Sequence, residues 1–234
     1  MGTRPDDETG KIFQRQLDIF DPDAYDVQID VVGAGSTGSW DILNLAKVGF
    51  KTFRVFDPDI VEPRNTSGQL YGLEDEGKPK VDALRDIIGR IADTQMTTYH
   101  CAWEPSRPLE GIVIMGADSM KVRRQIYEQT MFKPQVKLVV DHRIGGQKAQ
   151  LFAYVPTDAD AVADYETTLF TDEQAEELPC TARGISDVNL FVASMTVRNI
   201  RRFLTDGPSA LIHEMHYDAE TGVVVRRACG KGYV

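Results

Sequence analysis

The sequence predicts an α/β fold, a Rossmann-like doubly wound mixed sheet with a parallel amino-terminal half and antiparallel carboxyl-terminal strands. Short apolar runs alternate with amphipathic segments between residues 27 and 144, as expected for parallel strands joined by helices. A glycine-rich turn joins the first run to the helix that follows it. From residue 147 onward apolar and polar residues alternate more regularly, as in antiparallel strands. We expect residues 1–10 to be a disordered tail and residues 11–234 to form one domain, because 42% of the 234 residues are hydrophobic and can bury a core.

The predicted elements of the parallel half follow from apolar spacing and from the residues that stop each run. Gly49, for example, ends the helix that follows the glycine-rich turn. In chain order we expect a helix at 11–20, a strand at 27–32, a helix at 36–49, a strand at 51–57, a helix at 78–92, strands at 94–100 and 111–118, a helix at 119–131 and a strand at 136–144.

The antiparallel half is predicted to contain a strand at 147–156, a long helix at 185–204 and a hairpin at 210–228 that turns at DAETG. The segment 157–179 lies between the strand and the helix. It carries eight acidic residues and no basic residue. Because it is long for a structureless connection, we interpret it as a lid or crossover loop with a helical turn.

Composition excludes several classes of function. Basic residues number 26 against 36 acidic ones, a net charge of −10, which argues against nonspecific binding of nucleic acid or anionic membranes. No leader-like segment or apolar run near the length of a membrane span is found, so a cytoplasmic protein is expected. The 3 cysteines are widely separated and are expected to be free thiols in a reducing compartment.

Gly33, Gly35 and Gly38 form a G-x-G-x-x-G motif between a predicted strand and a predicted helix. The first glycine allows a tight turn, the second lets a phosphate approach the backbone, and the third lets the helix pack on the sheet. Asp57 ends the next strand, where an acid can accept hydrogen bonds from ribose hydroxyls. The motif in this context predicts a nucleotide site.

The residues after Asp57 favour a triphosphate with a metal ion over a nicotinamide dinucleotide. A dehydrogenase usually continues from its ribose acid into an ordinary helix or a variable loop, whereas here the stretch FDPDIVEPRNTSGQ stays polar. It contains Asp59, Arg64, Asn65 and Gln69, and the following GKPK reaches Lys80. Amide and ammonium groups can hold phosphate oxygens, and a carboxylate can hold magnesium.

At these residues the sequence resembles the ThiF/MoeB/HesA family, the adenylating domain shared with ubiquitin-activating enzymes. Members of that family have a glycine-rich loop, a D-x-D-x-V-x-x-x-N-x-x-R-Q pattern, a G-x-x-K motif and an aspartate at the end of a later strand. The matching residues here are GAGSTG, then Asp57, Asp59, Val61, Asn65 and Gln69, then Lys80 in GKPK, then Asp118 and Arg123 in MGADSMKVR. The resemblance covers roughly residues 11 to 205.

The resemblance implies a reaction and a role for each matching residue. Asp57 would bind ribose, Asn65 and Lys80 the phosphates, and Asp118 the magnesium ion. The implied reaction is ATP- and Mg²⁺-dependent adenylation of a carboxylate, commonly the C-terminal glycine of a ubiquitin-like or sulfur-carrier protein, with release of pyrophosphate. Positioning and charge neutralisation would supply most of the catalysis.

Two departures from the family pattern concern arginines. The family arginine that precedes the glutamine is replaced by Gly68, and Arg64 is a candidate to take its place. FQRQLDIF resembles the family's amino-terminal R-Q helix, whose arginine reaches the nucleotide of a neighbouring subunit. Arg15 would then complete the site of a partner in a homodimer; the alternative is an ordinary surface charge. The zinc-binding C-x-x-C pairs of many relatives are absent from the sequence.

Cys180, in PCTARG, lies where family members place a thioester- or persulfide-forming cysteine. It is either a nucleophile activated near Arg183 or a buried small residue. Cys101 is interpreted as structural. His142 follows Asp141 at a strand end, where either a substrate-facing role or a capped turn is compatible with the sequence.

His213 and His216 are three positions apart, an odd offset, on a predicted strand. They would therefore lie on opposite faces of it, so we expect no metal site there.

Two alternatives to adenylation remain open from the sequence. An NAD-dependent oxidoreductase would explain the glycine loop and Asp57 but not Asn65, Gln69, Lys80 and Asp118. A non-catalytic ThiF-like scaffold subunit would explain Gly68 but not the retained Lys80 and Asp118. A relative that adenylates a modified base of tRNA is disfavoured by the acidic charge.

Overall fold

The computed structural model describes residues 12–171 and 185–227. We number strands and helices in chain order. The strands are β1 (Gln28–Val32), β2 (Thr52–Phe56), β3 (Gln95–Tyr99), β4 (Gly111–Met115), β5 (Val136–Gly145), β6 (Lys148–Tyr154), β7 (Glu214–Asp218) and β8 (Val223–Arg227). The α-helices are α1 (Gly38–Val48), α2 (Lys80–Gly89), α3 (Met120–Thr130), α4 (Ala159–Glu166) and α5 (Ser186–Asp206).

All eight strands form one sheet in the order β3-β2-β1-β4-β5-β6-β7-β8. The first five of these strands pair in parallel, and β6, β7 and β8 pair antiparallel. The predicted mixed sheet is therefore confirmed. Strand β1 lies between β2 and β4, so the chain order reverses there, and the carboxyl ends of these strands form the crevice in which such sheets bind ligands.

The central strands β1, β4 and β5 are largely buried on both faces, as apolar runs in parallel strands predict, whereas the edge strands β3 and β8 are partly exposed. One core joins the sheet to α1, α2 and α5, through residues such as Leu45, Leu84 and Val192. A second core joins the other face to α3 and α4, through Ile126 and Tyr165. The molecule is thus layered helix, sheet, helix.

The acidic segment forms more regular structure than the predicted loop over its described part. Asp158 accepts hydrogen bonds from the backbone of residues 160 and 161 and caps α4, whose residues Ala161, Val162 and Tyr165 are buried. Alternating small and apolar residues at helical spacing account for this packing. Residues 172–179 of the segment lie outside the described part of the chain.

The amino-terminal apolar residues are less buried than their helical spacing suggests. The backbone makes helical turns over residues 12–19, and Phe20 is buried. Ile12, Leu17 and Ile19, however, are 72%, 42% and 68% exposed. Within residues 12–171 and 185–227 this segment therefore leaves an aliphatic surface uncovered.

Across residues 12–171 and 185–227, none of the helices is both long enough and apolar enough to span a bilayer.

Candidate nucleotide site

The loop between β1 and α1 has the geometry of a phosphate-binding turn. Gly33 has a φ of 99°, and a β-carbon there would lie 2.5 Å from the backbone of Gly116. A β-carbon at Gly38 would lie 2.0 Å from the carbonyl oxygen of Gly33. At Gly35, in contrast, no atom lies within 4 Å of an added β-carbon. The open side of the loop is therefore at Gly35, next to the amino terminus of α1, where backbone N–H groups attract anions.

Asp57 lies at the end of β2 and holds this loop in place. Its Oδ2 accepts a hydrogen bond from the Ala34 amide at 2.7 Å, and its Oδ1 accepts one from the Asp59 amide at 2.8 Å. The Tyr71 hydroxyl donates to the Ala34 carbonyl at 2.6 Å. Burial raises the pKa of the Asp57 carboxyl, although the positive charge of Lys80 acts to lower it. Each oxygen of Asp57 keeps a lone pair for a further donor such as a ribose hydroxyl.

Lys80 and Asp59 come together beside the loop. Lys80 is the first residue of α2, is 6% exposed, and its Nζ lies 2.7 Å from Asp59 Oδ2. The Asp59 side chain is 62% exposed, so the ion pair has one buried and one open member. The Lys80 amide also donates to the Asp59 carbonyl at 2.9 Å. The polar stretch that contains Asp59 and the GKPK motif that contains Lys80 are separate in the sequence, and the fold brings them into contact.

Asn65, Gly68 and Gln69 lie in a tight turn beside α1. Asn65 Oδ1 accepts from the Glu62 amide at 2.8 Å, and the Gln69 amide donates to the Asn65 carbonyl at 2.9 Å. Gln69 Oε1 is buried without a hydrogen-bond partner in the described part of the chain. Arg64 is exposed, and its Nε lies 2.5 Å from Glu62 Oε2. In this structure Arg64 is therefore paired with a surface acid.

Asp118 is exposed in the turn that follows β4. It lies two residues after Gly116, whose backbone approaches Gly33, so it is on the same side of the sheet as the phosphate loop. Arg123, which aligns with the family motif, is instead used within the fold. Its Nε donates to Asp141 Oδ1 at 2.8 Å and its Nη2 donates to the His142 carbonyl at 2.8 Å.

Asp141 is the centre of a buried network that the sequence did not reveal. It accepts hydrogen bonds from Arg123 and Arg143, each at 2.8 Å, and from the Tyr165 hydroxyl at 3.0 Å. Burial by itself raises the pKa of this carboxyl, but the two guanidinium groups lower it below its ordinary value. The only feature of the sequence that pointed here was the charged run DHR at the end of an apolar strand.

His142 lies within β5, faces α5 and is 2% exposed, so both the capped-turn and the substrate-facing interpretations are wrong. Its Nε2 lies 2.8 Å from the Thr196 hydroxyl and 3.2 Å from Asp41 Oδ2. Burial raises the pKa of the Asp41 carboxyl, although His142 and Thr196 act in the opposite direction. Alternation along β5 explains the error, because Asp141 and Arg143 point to one face of the sheet and His142 to the other.

Arg15 is exposed and lies away from the phosphate loop of its own chain. Its neighbour Gln16 donates from Nε2 to the Val48 carbonyl at 2.7 Å, at the far end of α1. Because α1 contains 11 residues, that end is roughly 16 Å from the loop.

The remaining candidates are cysteines and histidines. Cys101 is a partly exposed free thiol, whereas Cys180 and Cys229 fall outside the described residues. His216 Nε2 lies 2.7 Å from Glu214 Oε1, and no cluster suited to a metal ion occurs within residues 12–171 and 185–227.

The sheet order and the loop geometry define a Rossmann-like domain with an open phosphate turn. A family model described as the ThiF family matches residues 14–228. The chain belongs to the ThiF family. The resemblance seen in the sequence is thereby confirmed.

Curated relatives match over part of the chain. The catalytic subunit of the NEDD8-activating enzyme E1 of Arabidopsis thaliana is 32% identical over 107 residues, covering 43% of this chain and 23% of that protein. The probable adenylyltransferase/sulfurtransferase MoeZ of Mycobacterium tuberculosis is 28% identical over 115 residues, covering 45% of this chain and 29% of that protein. The matched region thus spans about a quarter of the length of these relatives.

Two solved structures share the fold. The crystal structure of PaaA has a TM-score of 0.77 at 18% identity and covers 99% of this chain and 77% of PaaA. The Escherichia coli MccB complex with AMPCPP and MccA has a TM-score of 0.71 at 15% identity, covering 95% of this chain and 67% of MccB. At these identities the likeness concerns the fold.

Proposed function

We propose that this chain uses ATP and Mg²⁺ to adenylate a carboxylate, and that the carboxylate is the C-terminal glycine of a ubiquitin-like or sulfur-carrier protein. One observation carries the proposal. The open loop at Gly35 adjoins a nearly buried Lys80 that is held by an exposed Asp59. Membership of the ThiF family and the names of its relatives support the choice of reaction.

The residues present fit a magnesium-bound triphosphate. Ribose hydroxyls donate to the remaining lone pairs of Asp57, and the phosphates cross the open side of Gly35 towards Lys80. Lys80 then exchanges Asp59 for phosphate oxygens, and Asn65 and Gln69 contact the phosphates from the facing turn. Asp118 and the released Asp59 would supply oxygens for Mg²⁺, which would neutralise charge on the phosphates.

In the proposed reaction a carboxylate oxygen of the acceptor attacks the α-phosphorus. A new phosphorus–oxygen bond forms, the bond to the bridging oxygen of the β-phosphate breaks, and pyrophosphate leaves. Lys80 and the amides of the phosphate loop stabilise the negative charge that spreads over the phosphoryl oxygens in the transition state.

A second step would transfer the acyl group to Cys180. The thiolate attacks the acyl carbon and AMP leaves. An adduct with the acceptor that a thiol reductant releases, and that the Cys180→Ala variant does not form, tests this step.

A homodimer is also part of the proposal. Arg15 cannot serve its own loop across the length of α1, and the uncovered Ile12, Leu17 and Ile19 beside it suit a second copy of the chain. Arg15 then acts on the nucleotide of the partner.

A non-catalytic scaffold is the second candidate, because Gly68 brings a carbonyl rather than a cation to the position of the family arginine. An oxidoreductase is disfavoured, because binding a nicotinamide dinucleotide would give the ion pair of Lys80 and Asp59 no role. Nucleotide choice separates the oxidoreductase from both ThiF-like functions.

The first prediction concerns that nucleotide choice. In titration calorimetry, ATP is expected to bind more tightly with Mg²⁺ than without it, and NADH is expected not to bind. The Asp118→Ala variant should bind ATP with a weaker dependence on Mg²⁺ than the wild type, because it lacks one of the two proposed metal ligands. Tight NADH binding together with no ATP binding would contradict the proposal.

A further inference from the structure

The buried carbonyl oxygen of Gly68 accepts hydrogen bonds from two different helices. Trp40 on α1 donates from Nε1 at 3.0 Å, and Asn189 in the first turns of α5 donates from Nδ2 at 2.7 Å. We propose that Trp40 and Asn189 are positioning residues, which hold the turn that carries Asn65 and Gln69 in the conformation that binds ATP. We call residues 65–71 the nucleotide segment. This inference rests on the proposed function.

The location of the contact favours a positioning role. Gly68 lies between Asn65 and Gln69, so its carbonyl fixes the path of the backbone that presents both side chains. The Leu70 amide donates to the Ser39 hydroxyl at 3.2 Å, which ties the segment to the first turn of α1. Helix α1 therefore fixes the position of the segment relative to the phosphate loop.

The chemistry of Asn189 supports the same conclusion. Asn189 is fully buried, and its Oδ1 has no hydrogen-bond partner in the described part of the chain. Burying an amide with an unpaired oxygen is unfavourable, and leucine would pack between the helices without that cost. The hydrogen bond from Nδ2 to the Gly68 carbonyl is what an amide adds at this position. It links the start of α5 to the nucleotide segment.

Loss of either donor is expected to loosen the segment and to weaken ATP binding. A typical buried hydrogen bond corresponds to about a three- to tenfold change in an equilibrium constant. We therefore expect Trp40→Phe and Asn189→Leu each to raise the Kd for ATP by about that factor. The double variant leaves the Gly68 carbonyl without either donor and should raise it further.

The chain offers a matched control for each variant. Trp103, its second tryptophan, donates from Nε1 to the Arg107 carbonyl at 3.1 Å within a different loop. Asn199 is also fully buried on α5, and it donates from Nδ2 to the Ile212 carbonyl at 3.0 Å. Trp103→Phe and Asn199→Leu each remove a donor of the same kind outside the nucleotide segment, and Asn199→Leu also removes the Oδ1 that accepts from the Ile212 amide and from Arg198.

The experiment combines amide hydrogen exchange, measured by mass spectrometry on the protein without nucleotide, with calorimetric titration of Mg-ATP. We expect faster exchange in residues 65–71 and a raised Kd in Trp40→Phe, Asn189→Leu and the double variant. The two control variants should keep wild-type exchange in that segment and a wild-type Kd, even where their melting temperatures fall.

Unchanged exchange of the segment in the double variant would overturn the positioning role, and so would faster exchange with an unchanged Kd. A rise in Kd of equal size in the controls would overturn it as well, because general destabilisation would explain it. If the wild type bound no ATP, the proposed function would fail. The exchange measurement needs no nucleotide and would still show whether Trp40 and Asn189 hold the segment.

Discussion

Replacing Lys80 with methionine is expected to lower the rate of pyrophosphate exchange by about 10²–10³-fold, the usual cost of removing one preorganised donor to a developing charge. The Lys80 ammonium group lies nearly buried beside the phosphate loop, so water cannot substitute well for it. Methionine keeps the length and packing of the side chain and removes the charge. Exchange rates at saturating ATP measure the effect.

Lys78→Met is the matched control, because Lys78 is a neighbouring lysine whose side chain is 45% exposed and pairs with Asp75. It should retain most of the activity. Equal losses in both variants would show that net charge, rather than Lys80, matters.

The same Lys80→Met variant tests the proposed role of Arg15 in the partner's site. Mixed with Arg15→Ala, it should form heterodimers in which one site has both Lys80 and the partner's Arg15. Activity should then return to roughly a quarter of the wild-type level after random exchange of subunits. A mixture as inactive as its components would contradict action across the dimer.

Replacing Asp141 with asparagine is expected to lower the free energy of unfolding by about 3–5 kcal/mol, because breaking a buried ion pair leaves its partner uncompensated. Asp141 is fully buried, and the side chains of Arg123 and Arg143 are only 7% and 11% exposed. Both would keep their charge without the carboxylate that they contact. Urea unfolding at neutral pH measures the loss.

The exposed pair of Arg202 and Asp206 provides a control, and Asp206→Asn should change stability by less than about 1 kcal/mol.

The contribution of Asp141 to stability also depends on pH. Since its pKa is lower in the folded state, Asp141 stabilises the fold at pH values above its ordinary pKa. That contribution is lost as the pH falls through the lowered value. Wild type and Asp141→Asn should therefore converge in stability under acidic conditions. A constant difference at all pH values would contradict this assignment.

The fold could be predicted largely from the sequence because its signals are local. The glycine turn, the apolar runs of β1, β2, β4 and β5, and the hairpin of β7 and β8 each specify an element within about ten residues. The alternation of apolar and polar residues after residue 147 also distinguished the antiparallel half of the sheet from the parallel half. The motif residues near the loop could be predicted because the family fixes their spacing.

The contacts that organise the site could not be predicted in this way. Gly68 meets Asn189 across 121 positions and Trp40 across 28, and no local pattern links them. The network around Asp141 and the burial of His142 depend on which face of β5 each side chain takes. The exposure of Ile12 and Leu17 depends on what packs against them, and the helical spacing of apolar residues does not predict that partner.

We propose above that this chain adenylates the C-terminal glycine of a small protein. The most direct test is ATP–pyrophosphate exchange with Mg²⁺, using wild type and Asp118→Ala, in the presence of candidate ubiquitin-like proteins that end in glycine. Versions of the same proteins without the terminal glycine serve as controls. We predict exchange that requires the acceptor and its glycine and disappears in Asp118→Ala. Binding of ATP and of an acceptor without any exchange would contradict the claim and favour the scaffold.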